Sequence, residues 1–162
     1  MSGQDLLRFS GQTACYSVAG LVVGGTSTKI QIAATNGAGV DFCIDGIAYH
    51  KADTDDITMT ALANQAASTS CLYMVTLTSD GTLAVSKGNE ITTTDIGVVG
   101  GTLQWPVIPD DVCPIGGFKM SIDSTASGWT CGTTALDAAN VVGSDATYYD
   151  FLGGIPLAPQ VS

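Results

Sequence analysis

Hydrophobic and polar residues alternate in several short stretches of this 162-residue chain, which is the pattern expected of half-buried β-strands. The alternation is clearest at residues 28–34, 82–86 and 118–122. Residues 71–78 (CLYMVTLT) are apolar on both faces, which is typical of a central strand, and residues 146–152 (ATYYDFL) predict a last strand. The pattern therefore predicts a chain of short strands.

Turn residues divide these stretches. Asp80 and Gly81 stand between two alternating runs, which predicts a β-hairpin at this position. Residues 42–51 (FCIDGIAYHK) form one apolar run, and we interpret Gly46 within it as a candidate β-bulge. Residues 53–56 predict a polar break before the next element.

The remaining segments are less regular. Residues 57–60 predict a short strand, whereas residues 62–67 (LANQAA) fit either a short helix or a loop. Prolines at three positions between residues 105 and 114 exclude a central strand there. Residues 124–134 predict a loop, and residues 134–140 predict a single helical turn.

These elements predict an all-β fold with a single β-sandwich-type domain over residues 13–162, because about 150 residues is the usual size of one domain. An extended N-terminal arm, residues 1–12, precedes it. The side chains that the alternation directs inward form the predicted core. They are Phe42, Ile44, Tyr73, Val75, Leu77, Phe118, Met120 and Ile122.

The predicted arm carries only isolated apolar residues. Leu6, Leu7 and Phe9 surround Arg8, the only arginine of the chain, and their spacing follows neither a helix nor a strand. Such a segment has little reason to become ordered alone. We therefore expect it to be held by a neighbouring molecule, and the alternative is that it packs on its own domain.

Composition narrows the classes of partner. The formal net charge is −10, with only five basic residues, so the chain is poorly suited to neutralise nucleic-acid phosphates. It has no stretch of 18 or more apolar residues, so no membrane-spanning helix is predicted. Fourteen of the fifteen acidic residues are aspartate, which favours turns over helices. We expect neither a nucleic-acid partner nor a membrane partner.

Residues able to do chemistry are few. The chain has five cysteines without a C-x-x-C pair, and His50 is its only histidine, so a zinc site is not predicted. Cys43 and Cys71 lie in apolar runs, where a thiol behaves as a small hydrophobic group. There is no G-x-S-x-G motif around a nucleophile. The sequence therefore predicts reduced, structural cysteines and no catalytic histidine.

Acidic and aromatic residues give equally weak signals. The run from Asp53 to Asp56 lacks the glycine and the late glutamate of a calcium loop, so we expect a solvated turn. Asp110 and Asp111 follow a proline and predict a turn. Only Trp105 and Trp129 offer indole rings for stacking on a sugar. We predict no catalytic, cofactor-binding or metal-binding residue, and hence that the protein is not an enzyme and needs no cofactor.

The order of four segments is similar to that in a known group of proteins. YMVTLTSDGTLAVSKG is followed by WPVIPDDVCPIGGFKMSI, then by TCGTTALDAAN, then by ATYYD. This succession resembles the small capsid decoration, or cement, proteins of tailed bacteriophages. The resemblance covers residues 40–151 and rests on turn and packing motifs rather than on chemistry. Cys131 stands where the pattern leads us to expect a proline.

The resemblance implies a single β-sandwich or jelly-roll-like domain that is a structural protein of the virion, on the outer surface of the capsid. Such proteins form homo-oligomers, trimers or dimers, and clamp neighbouring major capsid proteins. We expect a trimer that stabilises the phage head, with Leu6, Leu7, Arg8 and Phe9 contacting the capsid or a neighbouring subunit. A negative net charge fits an outer face, because a protein facing the lumen would repel packaged DNA.

One other class of function stays open at this stage. A receptor- or glycan-binding module of a virion fibre or tail would also be β-rich and would also lack a catalytic cluster. Fibre proteins commonly show repeats or a coiled-coil stem, and this sequence shows neither. Capsid decoration is therefore the leading hypothesis.

Overall fold

The computed structural model describes residues 12–98, 100–125, 127–138, 141 and 146–155. The predicted contact residues Leu6, Leu7, Arg8 and Phe9 lie outside these ranges. Ten strands run in chain order. They are β1 (Ala14–Cys15), β2 (Leu21–Val23), β3 (Ile30–Ile32), β4 (Val40–Ile44), β5 (Ile47–Lys51), β6 (Thr54–Ile57), β7 (Thr69–Thr78), β8 (Leu83–Thr92), β9 (Val112–Ser121) and β10 (Thr147–Asp150).

The strands form three antiparallel sheets, with the orders β1-β4-β5, β2-β3-β6 and β10-β9-β7-β8. A 3-10 turn at Thr35–Gly37 is the one helical element of the described ranges, and none of their helices is long and apolar enough to cross a membrane. The sheets share one apolar core. The predicted all-β, sandwich-like fold is confirmed.

The long strand β7 lies in the middle of the four-stranded sheet and is buried on both faces, as its sequence predicts. Its pairing with β8 across Asp80 and Gly81 confirms the predicted hairpin. The face that carries Tyr73 and Val75 belongs to the core shared with the other two sheets. All eight predicted core residues are buried.

The second face of this sheet is covered by an irregular segment, residues 102–105. Asn89 of β8 fixes this segment at two points, because its Nδ2 donates to the carbonyl oxygen of Thr102 (2.8 Å) and its Oδ1 accepts from the amide of Gln104 (2.7 Å). Trp105 then packs edge-to-face against Phe151, with ring centroids 4.9 Å apart. The segment therefore shields Leu72 on β7, which is fully buried.

Close approach of Trp105 depends on a glycine. A Cβ atom added at Gly117 would lie 2.5 Å from the carbonyl oxygen of Tyr73 and 2.6 Å from the Trp105 ring. We expect Gly117→Ala to cost about 1–3 kcal/mol of unfolding free energy through overpacking, and to increase the solvent exposure of Trp105. Chemical denaturation followed by tryptophan fluorescence measures both effects. Gly154→Ala is the control, because its added Cβ would meet nothing within 4 Å, and equal losses in the two variants would contradict the prediction.

Three sequence predictions in the first half of the chain are wrong. Residues 42–51 are not one strand with a bulge at Gly46, since Asp45 and Gly46 both have positive φ (51° and 81°) and form the turn of the β4–β5 hairpin. Asp53 to Asp56 is not a solvated turn, because most of it belongs to strand β6, which ends at Ile57. The strand predicted at 57–60 therefore starts and ends too late.

Strand β9 contradicts the prediction that the prolines exclude a central strand. β9 pairs with β7 and β10, although it contains Pro114. The proline is tolerated because it stands at a break in the β7 register, between Val75 and Thr76, and because β10 pairs only with Gly116 to Lys119.

The predicted helical segments contain no helix in the part that the structure describes. The alternative left open for residues 62–67, a loop, is the one observed, with Gln65 forming an isolated bridge to Trp129. Residues 134–138 form turns rather than a helical turn, and residues 139–140 lie outside the described ranges. The loop predicted at 124–134 is confirmed for its described residues, apart from the bridge.

Candidate interaction surface

The cysteines are placed for packing and not for reaction. All five are free and buried. Burial raises the pKa of the Cys15 thiol to about 11 and the pKa values of Cys71, Cys113 and Cys131 to about 12. These thiols are therefore protonated near neutral pH. Nucleophilic attack and metal binding both require the thiolate, so these four cysteines are poorly suited to either role.

His50 pairs with an acidic side chain. Its Nδ1 lies 2.7 Å from Oδ1 of Asp41 on the adjacent strand, and both side chains are more than half exposed. The nearby hydroxyl of Ser17 accepts a hydrogen bond from the backbone amide of Asp41 (2.7 Å). The three residues therefore do not form a Ser-His-Asp arrangement, in which the hydroxyl bonds to the imidazole.

The acidic run at residues 53–56 satisfies backbone donors. Asp53 Oδ1 accepts hydrogen bonds from the amides of Ala34 (3.0 Å) and Gly39 (3.1 Å). Asp56 accepts from the amide and hydroxyl of Thr26, which together hold the pKa of that carboxyl below its usual value. Within the described ranges, no three His, Cys, Asp or Glu residues are grouped so that they could hold a metal ion.

The tryptophans are structural as well. Trp129 is fully buried, and its Nε1 donates a 2.9 Å hydrogen bond to the carbonyl oxygen of Ala135. Trp105 packs edge-to-face against Tyr149 and Phe151. The Trp129 ring is therefore unavailable for stacking on a sugar. The Trp105 ring is part of the segment that covers the second face of the four-stranded sheet.

One surface of the domain has no evident packing role. A cleft of about 400 Å³ opens beside the β4–β5 turn, between the start of β1 and the start of β9. Asp45, Asp110 and Asp111 place three carboxylates on its wall. Asp110 and Asp111 form a turn just before β9, as predicted, and Asp111 has a φ of 60°. The lining of the cleft therefore includes three acidic residues.

Apolar side chains complete the cleft and its surroundings. Ala14, Pro109, Val112, Pro114 and Ile155 line it. Five exposed apolar residues either line the cleft or stand within two residues of one that does, and we call them the apolar rim. They are Tyr16 (47% exposed), Ile47 (60%), Val107 (90%), Ile108 (40%) and Leu152 (60%). Exposed apolar side chains around a cleft mark an interaction surface.

Sequence analysis found only part of this surface. The cleft combines residues from the start of β1, the β4–β5 turn, the segment before β9 and the end of the described chain. Those segments are distant in sequence, so no local motif joins them. The one local signal is the pair Val107 and Ile108, apolar residues between two prolines where a strand is disfavoured.

Comparison with known proteins adds no relative. No protein-family model matches the chain, and no curated protein or solved structure is significantly similar to it.

Proposed function

We propose that this protein is a structural capsid decoration protein, which binds the outer face of a phage head and bridges major capsid proteins. One observation carries the proposal. Three of the four segments that resemble decoration proteins belong to the four-stranded sheet. Residues 73–88 form most of the β7–β8 hairpin, residues 105–122 contain β9, and residues 146–150 contain β10. The similarity thus follows one complete sheet and not scattered peptides.

The chemistry of the domain supports a structural role. Four of the five thiols have raised pKa values, the acidic run is engaged by backbone amides, and the indole of Trp129 is buried. The same burial of Trp129 weighs against the glycan-binding alternative, because aromatic stacking needs an open ring face. The candidate interaction surface consists of the cleft and its apolar rim.

The partners in this proposal are the major capsid protein and further copies of the chain, most simply as a trimer. Charged residues are only 12% of the chain, which suits surfaces that are covered in an assembly, because charged residues are depleted in interface cores. The net charge of −10 supports a position on the outside of the shell, away from packaged DNA.

Binding to heads tests the proposal. Heads assembled without this protein, from the phage that encodes it, are incubated with the purified full chain. We expect saturable binding and a higher temperature of DNA release, because a ligand that binds only the intact shell stabilises it. Heads incubated with bovine serum albumin are the control. Absence of binding, or binding without any change in the release temperature, would reject a cementing role.

A further inference from the structure

The cleft lies where the first eleven residues join the domain. The carbonyl oxygen of Gln12 accepts hydrogen bonds from the amide of Gly46 (2.9 Å) and from Sγ of Cys43 (2.9 Å), and the hydroxyl of Thr13 accepts from the amide of Asp45 (3.2 Å). These bonds continue the antiparallel pairing of β1 with β4. Residues 1–11 therefore join the domain at the β4–β5 turn, beside the cleft.

The sequence of that segment complements the cleft. Arg8 is the only arginine of the chain, and Leu6, Leu7 and Phe9 surround it. An arginine between apolar residues matches a cleft with three carboxylates, apolar lining and an apolar rim. A guanidinium binds carboxylates through paired, charge-assisted hydrogen bonds, and this would offset the repulsion among the three acids.

We propose that residues 6–9 of one copy occupy the cleft of a second copy, with Arg8 facing Asp45, Asp110 and Asp111. This inference rests on the proposed function in taking the protein to be a homo-oligomer, and it names the surface that joins the copies. The direction of the chain favours a second copy. Traced back towards its N-terminus, the chain passes along β4 to the C-terminal end of that strand and leaves beside the β4–β5 turn, so a return to the same cleft requires the chain to reverse beyond this turn.

The proposed contact is heterologous, since each copy donates one arm and offers one cleft. Repetition of such a contact closes into a ring when the rotation between copies allows it, and a ring of three gives the expected trimer. Three residues separate Phe9 from Thr13, so at about 3.3–3.6 Å per residue the arm can reach only a cleft that lies close to the point where it leaves its own domain.

Crosslinking between two variants tests the contact directly. Full-length Arg8→Cys is mixed with full-length Asp110→Cys and treated with a short bis-maleimide, because an arginine and an aspartate in contact lie too far apart at Cβ for a disulfide. We expect a covalent dimer in the mixture well above that formed by either variant alone. The native thiols give little background because all five are buried. Asp137→Cys, at an exposed acid that does not line the cleft, replaces Asp110→Cys as the matched control.

The double variant Arg8→Cys/Asp110→Cys separates the two possible partners of the arm. A ladder of covalent oligomers supports exchange between copies. A product that is crosslinked only within one chain overturns the proposal, because the arm then occupies its own cleft. A yield equal to that of the Asp137→Cys control overturns it as well, because the arm then does not reach the cleft.

Charge reversal measures the energetic role of Arg8. We expect Arg8→Glu to raise the dissociation constant of the oligomer by at least about tenfold in sedimentation experiments, because it adds a fourth negative charge to the cleft. The combination Arg8→Glu with Asp110→Lys and Asp111→Lys restores association if the charges face each other. A monomeric wild-type chain, or an unchanged dissociation constant in Arg8→Glu, contradicts the proposal. These assays use no heads, so a ring that fails to bind heads rejects only the decoration function.

Discussion

Replacing Trp129 with alanine is expected to lower the free energy of unfolding by about 3–5 kcal/mol, the usual cost of deleting a large buried aromatic side chain. Trp129 is fully buried and is the largest such side chain in the described core. Its ring contacts Tyr73 and Phe118 edge-to-face, with centroids 5.3 and 6.3 Å from theirs. Loss of the indole removes a packing partner from both strands in the middle of the four-stranded sheet.

Urea denaturation measures this effect, with the midpoint and the slope fitted separately. Trp129→Phe is the matched variant, because it keeps an aromatic ring and removes the Nε1 hydrogen bond to Ala135. We expect it to lose clearly less stability than Trp129→Ala. A loss below 1 kcal/mol for the alanine variant would show that Trp129 does not support the core in solution.

Replacing Gln65 with methionine is expected to cost about 2–4 kcal/mol, because it keeps the volume but leaves buried polar groups without a partner. The fully buried amide donates from Nε2 to the carbonyl oxygens of Thr69 and Met120, both at 3.0 Å. Its Oε1 accepts from the hydroxyl of Tyr73 at 3.1 Å. One side chain thus links the 62–67 loop to β7 and β9.

A double-mutant cycle isolates this network. Tyr73→Phe removes the hydroxyl that Gln65→Met leaves unpaired, so the double variant is expected to be more stable than the sum of the two single losses predicts. Gln104→Met is the control at an exposed glutamine, where a change within about 0.5 kcal/mol is expected. Strict additivity of Gln65→Met and Tyr73→Phe would contradict the proposed coupling.

Sequence reasoning succeeded where the determinant is local. Strand β7 and its hairpin follow from an apolar run and an Asp-Gly turn that lie side by side in the chain. The same dipeptide at Asp45 and Gly46 is the turn of a second hairpin and not the bulge that the sequence analysis predicts, although the hairpin rule applies there too. That error comes from treating residues 42–51 as one strand.

The failures have a different cause, because long-range contacts decide them. Trp129 lies in a segment predicted as a loop, and its burial depends on Tyr73, more than fifty positions away. Gln65 is polar and lies in a loop, yet it is buried because its partners include a carbonyl on β9. Asp53 and the β6 residue Asp56 accept hydrogen bonds from amides that are distant in sequence, at Ala34 and Thr26.

The candidate interaction surface also depends on contacts between residues that are distant in sequence. Asp110 and Asp111 were predicted as a turn, and this is correct, but their proximity to Asp45 is a property of the fold. The arm residues predicted to make the contact lie outside the described ranges, so that prediction stays a prediction. The structure adds a place where such a contact can be made.

The most direct test of the central claim is the copy number of this protein in purified virions. Quantitative mass spectrometry against an isotope-labelled standard gives the ratio of this chain to the major capsid protein. A decoration protein repeats with the symmetry of the shell, so we expect a copy number in the hundreds, in a fixed ratio to the capsid protein. A handful of copies per virion would place the protein in a tail or fibre, and its absence from virions would contradict the account altogether.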